Sequence, residues 1–484
     1  MSLVSAGFFL LFAALFVVYW AFERATSRKW LLLVASYGLY ATFDARFLLL
    51  LFGVTGVGFA GGILLDRFDE RPRARRAVFV GGIVICLGVL GIFKYLSFFG
   101  QGAAALLRTL GFGADHFTLA LVLPVGISFY VFKVMAYLIE VRRRSLPATR
   151  SALDFFVYVA FFPQLLAGPI DRPGSLLPQL ASERTFDYDT AVQGARQVLW
   201  GLFKKLALAD GLAWSVSRAF GSWRNESAPV LVAGAVLFSF QIYCDFSGYT
   251  DISIGIAKLL GIRTMRNFAY PYFSQSIAEF WRRWNISVSS WFRDYVYIPL
   301  GGSRVSRARL GFNIMLTFLL SGLWHGANMT FVVWGMLLGV GVAFTAMRRA
   351  PVLRMEDTPG GERLTLASAG RMLVTFAFIT MSWVFFRSAS PAEAVGILAR
   401  MTQLPGSGAA WLAPLALFPA TRKVLLATLV GFVVVEWLQR RRECPLEIPV
   451  RSRAVRWIAY TGVVWLTALL AQPMASGRFI YFNF

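Results

Sequence analysis

Three stretches decide the fold class: QIYCDFSGYTDIS (Gln241–Ser253), EFWRRWNISVSSWFRDYVYIPLGG (Glu279–Gly302) and SGLWHGANMTFVVWG (Ser321–Gly335). Charged, hydroxyl and amide side chains crowd there, inside a chain that is otherwise strongly apolar. The 484 residues are 57% hydrophobic and only 15% charged, well below the roughly 25% charge of a soluble protein. Mean hydropathy is +0.61. These values exclude a soluble globular domain and predict an all-α polytopic membrane protein. In such a protein an ionisable residue at membrane depth costs several kcal/mol unless it is paired or hydrated, so it points to function. One of the chain's two histidines, His325, lies in this region.

The net charge of +23 is read in the same frame. Lys and Arg flank spans on the cytoplasmic side, and the surplus can attract anionic lipid headgroups or a phosphate-rich donor. Nucleic-acid binding is not expected. The 45 Phe and 15 Trp suit interfacial belts and a rigid interior. Cys86, Cys244 and Cys444 lie far apart, with no metal-ligand or disulfide-framework spacing. Cys86 and Cys244, in apolar runs, read as small buried fillers.

Working outward, residues 2–22 form a first span, and Arg24, Arg28 and Lys29 behind it place Met1 outside. The 36 residues Trp30–Leu65 are too long for one span of about 20. Asp44 and Arg46 interrupt them, which predicts a hairpin returning to the basic cytoplasmic loop Asp66–Arg76. Ala77–Phe99 crosses outward, and Phe117–Val141 returns to Arg142, Arg143 and Arg144. Within it, LPVGISFY (Leu123–Tyr130) predicts a kinked or broken helix, tolerated where protein covers the freed backbone. Leu153–Ile170 follows. Ala191–Phe220 carries Lys204 and Lys205 near its middle, so it is either two short elements or a tilted helix with snorkelling lysines.

Pro229–Gly261 is a long span around DFSGYTD. Residues 275–300 are too polar to span and read as a re-entrant or interfacial helical segment lining a cavity. The 38 residues Leu310–Met347 must make two spans, with Gly322, Gly326 and Asn328 between them. A polar loop is expected over 348–371, then apolar segments Met372–Phe386, Val424–Leu438 and Val455–Leu470. Counted by length, this predicts about eleven to thirteen membrane segments. They form one membrane-embedded domain over 1–484, with N-terminal spans to 150, a catalytic core over 151–350 and C-terminal spans from 351.

His325 follows Arg309 by 16 residues, about 24 Å of helix, which sets it deep in a hydrocarbon core about 30 Å thick. There an imidazole can be a general base or a satisfied packing residue. A metal site is disfavoured because the second histidine, His116, falls in an expected external loop. An unprotonated imidazole is suited to take a proton from a hydroxyl nucleophile. Asn285, in WRRWNIS, can orient a hydroxyl or steady an oxyanion, or simply cap a helix. Arg282, Arg283 and Arg293 can hold the phosphates of a nucleotide-bearing donor. Equally, they can pair with Asp245, Asp251, Glu279 and Asp294. With His325 and Asn285 as the catalytic candidates, the candidate substrate contacts are Trp324, Gln241, Asp245, Tyr249, Trp281, Arg282, Arg283, Arg293 and Tyr297.

These motifs resemble the membrane-bound O-acyltransferase (MBOAT) family, in its alginate O-acetyltransferase branch. The resemblance runs from FKY (Phe93–Tyr95) through LPVGISFY, FFPQLLAGPI, DFSGYTD and PYFSQSIAEFWRRWNISVSSWFRDYVYIPLGG. It continues through LWHG with WG ten residues on and WVFFRS (Trp383–Ser388) to FIYFNF (Phe479–Phe484). It implies a helical disc with a central tunnel open to both faces, an acyl-CoA or acyl-carrier thioester entering from the cytoplasm, and His325 as the catalytic residue. Three positions depart from the polysaccharide-acetylating pattern: Asn285 stands for the WRRWH histidine, Gln164 for the histidine of FFPH, and Leu338 for the histidine of WGxLHG.

The resulting expectation is a multi-pass enzyme of the bacterial inner membrane. It would move a small acyl group, acetyl first, from a cytoplasmic thioester such as acetyl-CoA to a hydroxyl, with no permanently bound cofactor and no metal. A periplasmic acyl-accepting partner and a cell-surface polysaccharide as final acceptor are implied by the resemblance. A longer-chain acyl or D-alanyl transferase and a non-catalytic transporter or scaffold are the alternatives. Against the transporter, only one broken region is visible, and no inverted repeat.

Overall fold

The computed structural model describes residues 2–111, 122–166, 168–347, 364–403, 406, 408–419, 422–442, 445–448, 450 and 452–471. Helices dominate, and no strand occurs among the described residues. Two compact units form, Met1–Val192 with Ile256–Met265, and Gln193–Gly255 with Arg266–Phe484.

The first unit holds α1 (Ala6–Ala21), α2 (Ala25–Ala41), α3 (Leu48–Arg67), α4 (Pro72–Leu90), α5 (Leu96–Thr109), α6 (Ile127–Arg142), α7 (Ala152–Ala160), α8 (Phe162–Leu165) and α9 (Pro173–Ala181). The expected hairpin turns at Asp44. Its carboxylate accepts Arg46 N–H at 3.0 Å and pairs with the Arg46 guanidinium at 2.6 Å, so the polar interruption satisfies itself. A π-helical turn, Gly91–Tyr95, joins α4 and α5 into one run. Helix α6 begins only after the LPVG break, where Gly126 has φ +73° and a Cβ would collide with Leu165 O. Residues 117–121 of that expected span, and His116, lie outside the described residues. Twelve of the sixteen α6 residues are buried, which is why its sequence lacks an amphipathic period.

The second unit holds α11 (Asp210–Gly221), α13 (Ile277–Arg283), α14 (Ile286–Phe292), α15 (Arg307–His325), α16 (Met329–Met347), α17 (Leu366–Arg387), α18 (Pro391–Met401), α19 (Gly408–Leu412), α20 (Lys423–Gln439) and α21 (Arg453–Leu470). The division between units falls within α10 (Tyr188–Leu202) and α12 (Ala228–Leu259). The 275–300 segment is helical in short pieces, as read from its polarity. The expected loop 348–371 is corrected at its end: Thr365 and Ser368 form a reciprocal cap that starts α17 at Leu366. Residues 348–363, Cys444 and Phe479–Phe484 lie outside the described residues.

Lys204 and Lys205 require the clearest correction. They neither snorkel nor divide two elements. Helix α10 runs through a π-helical segment, Phe203–Ala209, into α11, and both lysines are buried. Lys204 Nζ meets Asp251 at 2.5 Å and Ser247 Oγ at 2.8 Å. Lys205 Nζ meets Asp245 at 2.6 Å and Asp210 at 2.8 Å. Charges removed from water persist when so paired, so ion pairing outweighed snorkelling here.

Five helices among the described residues are long and apolar enough to cross a membrane. The larger count expected from sequence includes shorter runs, such as the 16-residue α1, and the run from α10 into α11, which carries the buried Lys204 and Lys205. Large apolar side chains remain on the outside, Leu49 81% and Leu10 74% exposed among them, a surface suited to lipid.

Candidate active site

The segment carrying Asn285 is built by two caps. Ser276 Oγ accepts Glu279 N–H at 3.2 Å, and Glu279 Oε2 accepts Gln275 N–H at 2.7 Å, which starts α13. Glu279 also pairs with Arg283 one turn on. The chain then breaks: Trp284 is extended and Asn285 is left-handed, with φ 44° and ψ 55°. Asn285 stands at the N-cap of α14, yet its side chain caps nothing. Asn267 takes that task instead, its carbonyl accepting Ile286 N–H at 2.9 Å and its Oδ1 accepting Ser287 N–H at 3.0 Å. The Asn285 amide is therefore 2% exposed with neither its oxygen nor its nitrogen partnered among the described residues. Leaving such a group unsatisfied costs roughly 1–3 kcal/mol, the pattern of a side chain kept for a ligand.

His325 is the last residue of α15 and is buried. Helices α15 and α16 form a tight hairpin because Gly322 and Gly335 lie against each other. A Cβ on Gly322 would come 3.2 Å from Gly335 Cα and strike Phe331 O. Asn328 Oδ1 accepts Thr330 N–H at 3.0 Å to start α16, which returns Trp334 to the imidazole. The ring of His325 meets Trp334 edge-on at 4.9 Å, Trp324 at 5.0 Å and Phe386 at 5.7 Å. Trp334 stacks on Trp383 at 5.4 Å, and Trp383 lies 5.0 Å from Trp284. A chain of rings thus joins His325 to the residue before Asn285.

The indole N–H groups of Trp281, Trp284, Trp334 and Trp383 are buried without an acceptor among the described residues. An imidazole, an uncommitted amide and idle N–H donors among packed aromatic rings can take a proton and stabilise a developing oxyanion. Trp334, Trp383 and Phe386 were not among the candidates drawn from the sequence. Their only signal was their place in the WG and WVFFRS motifs.

A cavity of about 580 Å³ adjoins this enclosure. Four of the predicted contacts, Trp281, Arg282, Arg293 and Tyr297, line it together with Thr317 and Ser321. Trp281 stands 5.6 Å from Trp334, and Ser321 is one turn before His325. Arg293 also meets Asp294 at 2.7 Å. Arg283 is buried against Glu279, and Trp324 packs on the imidazole. Gln241, Asp245 and Tyr249 are buried on α12 and do not line the cavity. Asp245 is held by Lys205, whose Nζ lies 5.6 Å from the Tyr249 ring centre. Both carboxylates of DFSGYTD are thus engaged by lysines.

Of the other departures, Leu338 is fully buried on α16. Gln164 is in the first unit. It accepts from Lys133 Nζ at 2.7 Å and donates to Asp171 Oδ2 at 2.6 Å, bridging a buried cation and anion.

The sequence matches the membrane-bound O-acyltransferase family over residues 90–385. The chain belongs to the membrane-bound O-acyltransferase family. It is accordingly a multi-pass membrane O-acyltransferase, and both His325 and Asn285 fall within the matched region. Among its relatives is the probable alginate O-acetylase AlgI of Pseudomonas putida, 36% identical over 99% of each chain. That of Pseudomonas aeruginosa is 38% identical over 89% of this chain and 79% of its own. The peptidoglycan O-acetyltransferase of Helicobacter pylori is 33% identical over 78% of this chain and 74% of its own.

Proposed function

We propose that this membrane-bound O-acyltransferase transfers acetyl from a cytoplasmic thioester, acetyl-CoA or an acetyl carrier, to a hydroxyl on the route to a cell-surface polysaccharide. It would work in the bacterial inner membrane and pass acetyl to a periplasmic partner. The observation that carries this reading is the Asn285 amide, buried and unpartnered among the described residues beside the ring chain that ends at His325. The names of the relatives support acetyl as the group and polysaccharide as the acceptor. Arg282 and Arg293 on the cavity wall suit a phosphate-bearing donor.

In the reaction, His325 takes the hydroxyl proton as the oxygen attacks the thioester carbonyl. The new C–O bond gives a tetrahedral oxyanion, to which Asn285 and idle indole N–H groups donate. The C–S bond then breaks, and the thiolate leaves with the proton from the imidazolium. The test is turnover of radiolabelled acetyl-CoA by purified protein in nanodiscs. His325→Ala is expected to lower it about 10²–10⁴-fold, the worth of a general base. Activity within a few fold of wild type in the folded variant would remove His325 from the mechanism.

A further inference from the structure

A second cavity, of about 180 Å³, lies in the second unit and is lined from α12, α17, α20 and the segment 270–273. Its walls include the rings of Phe240, Tyr243, Tyr270, Tyr272 and Phe376 and one carboxyl group, that of Glu436. It shares no lining residue with the cavity beside Trp281. The reaction above uses none of these side chains.

Glu436 is the only acidic residue of α20 and is 4% exposed. Among the described residues it receives one hydrogen bond, from Tyr243 Oη at 2.6 Å, and makes no ion pair. The cations around it are spent on other groups. Lys204, 5.6 Å from the Tyr243 ring centre, is held by Asp251 and Ser247. Arg266 stacks on Tyr270 at 4.8 Å and donates from Nε to Phe268 O at 2.6 Å. A carboxylate withdrawn from water is costly until a positive charge meets it.

The aromatic wall is continuous. Tyr243 lies 5.4 Å from Tyr272 and 6.3 Å from Phe432, and Tyr272 lies 5.6 Å from Phe240 and 5.2 Å from Phe376. Each tyrosine hydroxyl donates elsewhere: Tyr243 to Glu436, Tyr270 to Arg442 O at 3.4 Å and Tyr272 to Ser239 O at 2.5 Å. Aromatic rings and a carboxylate suit a cation and oppose an anion. A hard metal ion requires several oxygen ligands, whereas this lining is mostly hydrocarbon, which selects an organic cation. The volume is close to the roughly 150 Å³ that takes a benzene-sized guest, enough for a trimethylammonium head. Phe240, Tyr272, Phe273 and Phe376 are half-buried, so the wall reaches the protein surface. Arg440, Arg441 and Arg442 begin one turn beyond Glu436 and mark this end of α20 as cytoplasmic. A soluble alkylammonium and an ammonium-bearing lipid headgroup are both at hand there.

We propose that this cavity binds an alkylammonium cation, with Glu436 as its counter-ion and the surrounding rings as its cage. The proposal is independent of the acyltransferase reading. Full-length protein in phosphatidylglycerol nanodiscs is titrated by calorimetry with choline and with dimethylbutanol, its uncharged carbon isostere. High salt removes attraction to the disc surface. Choline is expected to bind wild type, and the alcohol at least about 10-fold more weakly. Glu436→Gln keeps the shape and an acceptor for Tyr243, and should weaken choline at least about 30-fold through loss of the buried counter-charge. Phe376→Leu removes one ring from the half-buried wall. It should weaken choline about 2- to 30-fold, and it carries the test if Glu436→Gln does not fold.

No binding of choline to wild type, equal binding of choline and the alcohol, or unchanged choline binding in the folded variants overturns the proposal. Mixing phosphatidylethanolamine into the discs distinguishes the two sources of the cation. A weakened apparent affinity for choline assigns the cage to the lipid headgroup, and an unchanged one assigns it to a soluble alkylammonium.

Discussion

Asn285 combines two features that substitutions can separate. Its backbone is left-handed, a conformation Asn tolerates and Ala adopts at a cost of about 1 kcal/mol, and its amide is unpartnered among the described residues. Asn285→Ala therefore mixes strain with loss of the amide, whereas Asn285→Gly keeps the backbone and removes the amide alone. Turnover is expected to fall roughly 10²–10³-fold in both, as for one lost oxyanion donor, with thermal stability nearly unchanged in the Gly variant. Wild-type turnover from a stable Asn285→Gly protein would reduce Asn285 to a turn residue. Asn285→His, which restores the residue of the polysaccharide-acetylating pattern, should be intermediate, because imidazole can also hydrogen-bond there.

Two elements depend on contacts that their own sequences do not reveal. The helical run through α10 and α11 carries Lys204 and Lys205 only because α12 supplies Asp245 and Asp251. Lys205→Met leaves Asp245 without its cation and is expected to cost about 3–5 kcal/mol, read as a lowered midpoint of thermal unfolding in detergent. Lys205→Met with Asp245→Leu should recover part of that loss, since only Asp210, less deeply buried than Asp245, then lacks its cation. A double variant no better than the single one would mean the pair does not matter as a pair. In the α15–α16 hairpin, Gly322→Ala is expected to cost about 1–3 kcal/mol by overpacking. It should also lower turnover in the surviving folded protein, because it moves Trp334 away from His325. Unchanged turnover would show that the hairpin spacing does not set the imidazole.

At the scale of the whole molecule, charge is expected to set orientation and donor capture. A cysteine at exposed Glu70, in the basic loop, should react with an impermeant maleimide only after cells are opened. One at exposed Ala45, in the turn of the hairpin at Asp44, should react in intact cells, Cys86 and Cys244 being buried. The reverse pattern would invert the orientation. Arg282 and Arg293 on the cavity wall should draw in an anionic donor, so the apparent KM for acetyl-CoA is expected to rise between low and high ionic strength. A KM independent of salt would argue against electrostatic entry.

Composition and run length alone settle that this chain is helical and embedded in a membrane, because a 57% apolar chain has few other ways to satisfy its backbone. The hairpin at Asp44, the break before Ile127 and the two helices in Leu310–Met347 are legible for the same reason: a turn residue or charge interrupts an apolar run. His325 and Asn285 stand out in the sequence because polar groups are rare and costly there. Tertiary structure alone decides which charges are spent on packing. Lys204, Lys205 and both aspartates of DFSGYTD read as functional or snorkelling until their partners, 40 to 50 residues apart, are seen to neutralise one another. It also decides which polar groups remain uncommitted. Asn285 sits at a helix cap by sequence, and only the placement of Asn267 shows that the cap is already filled. Pairing and satisfaction are properties of neighbours in space, and a membrane interior makes them decisive because no water is present to substitute for a missing partner.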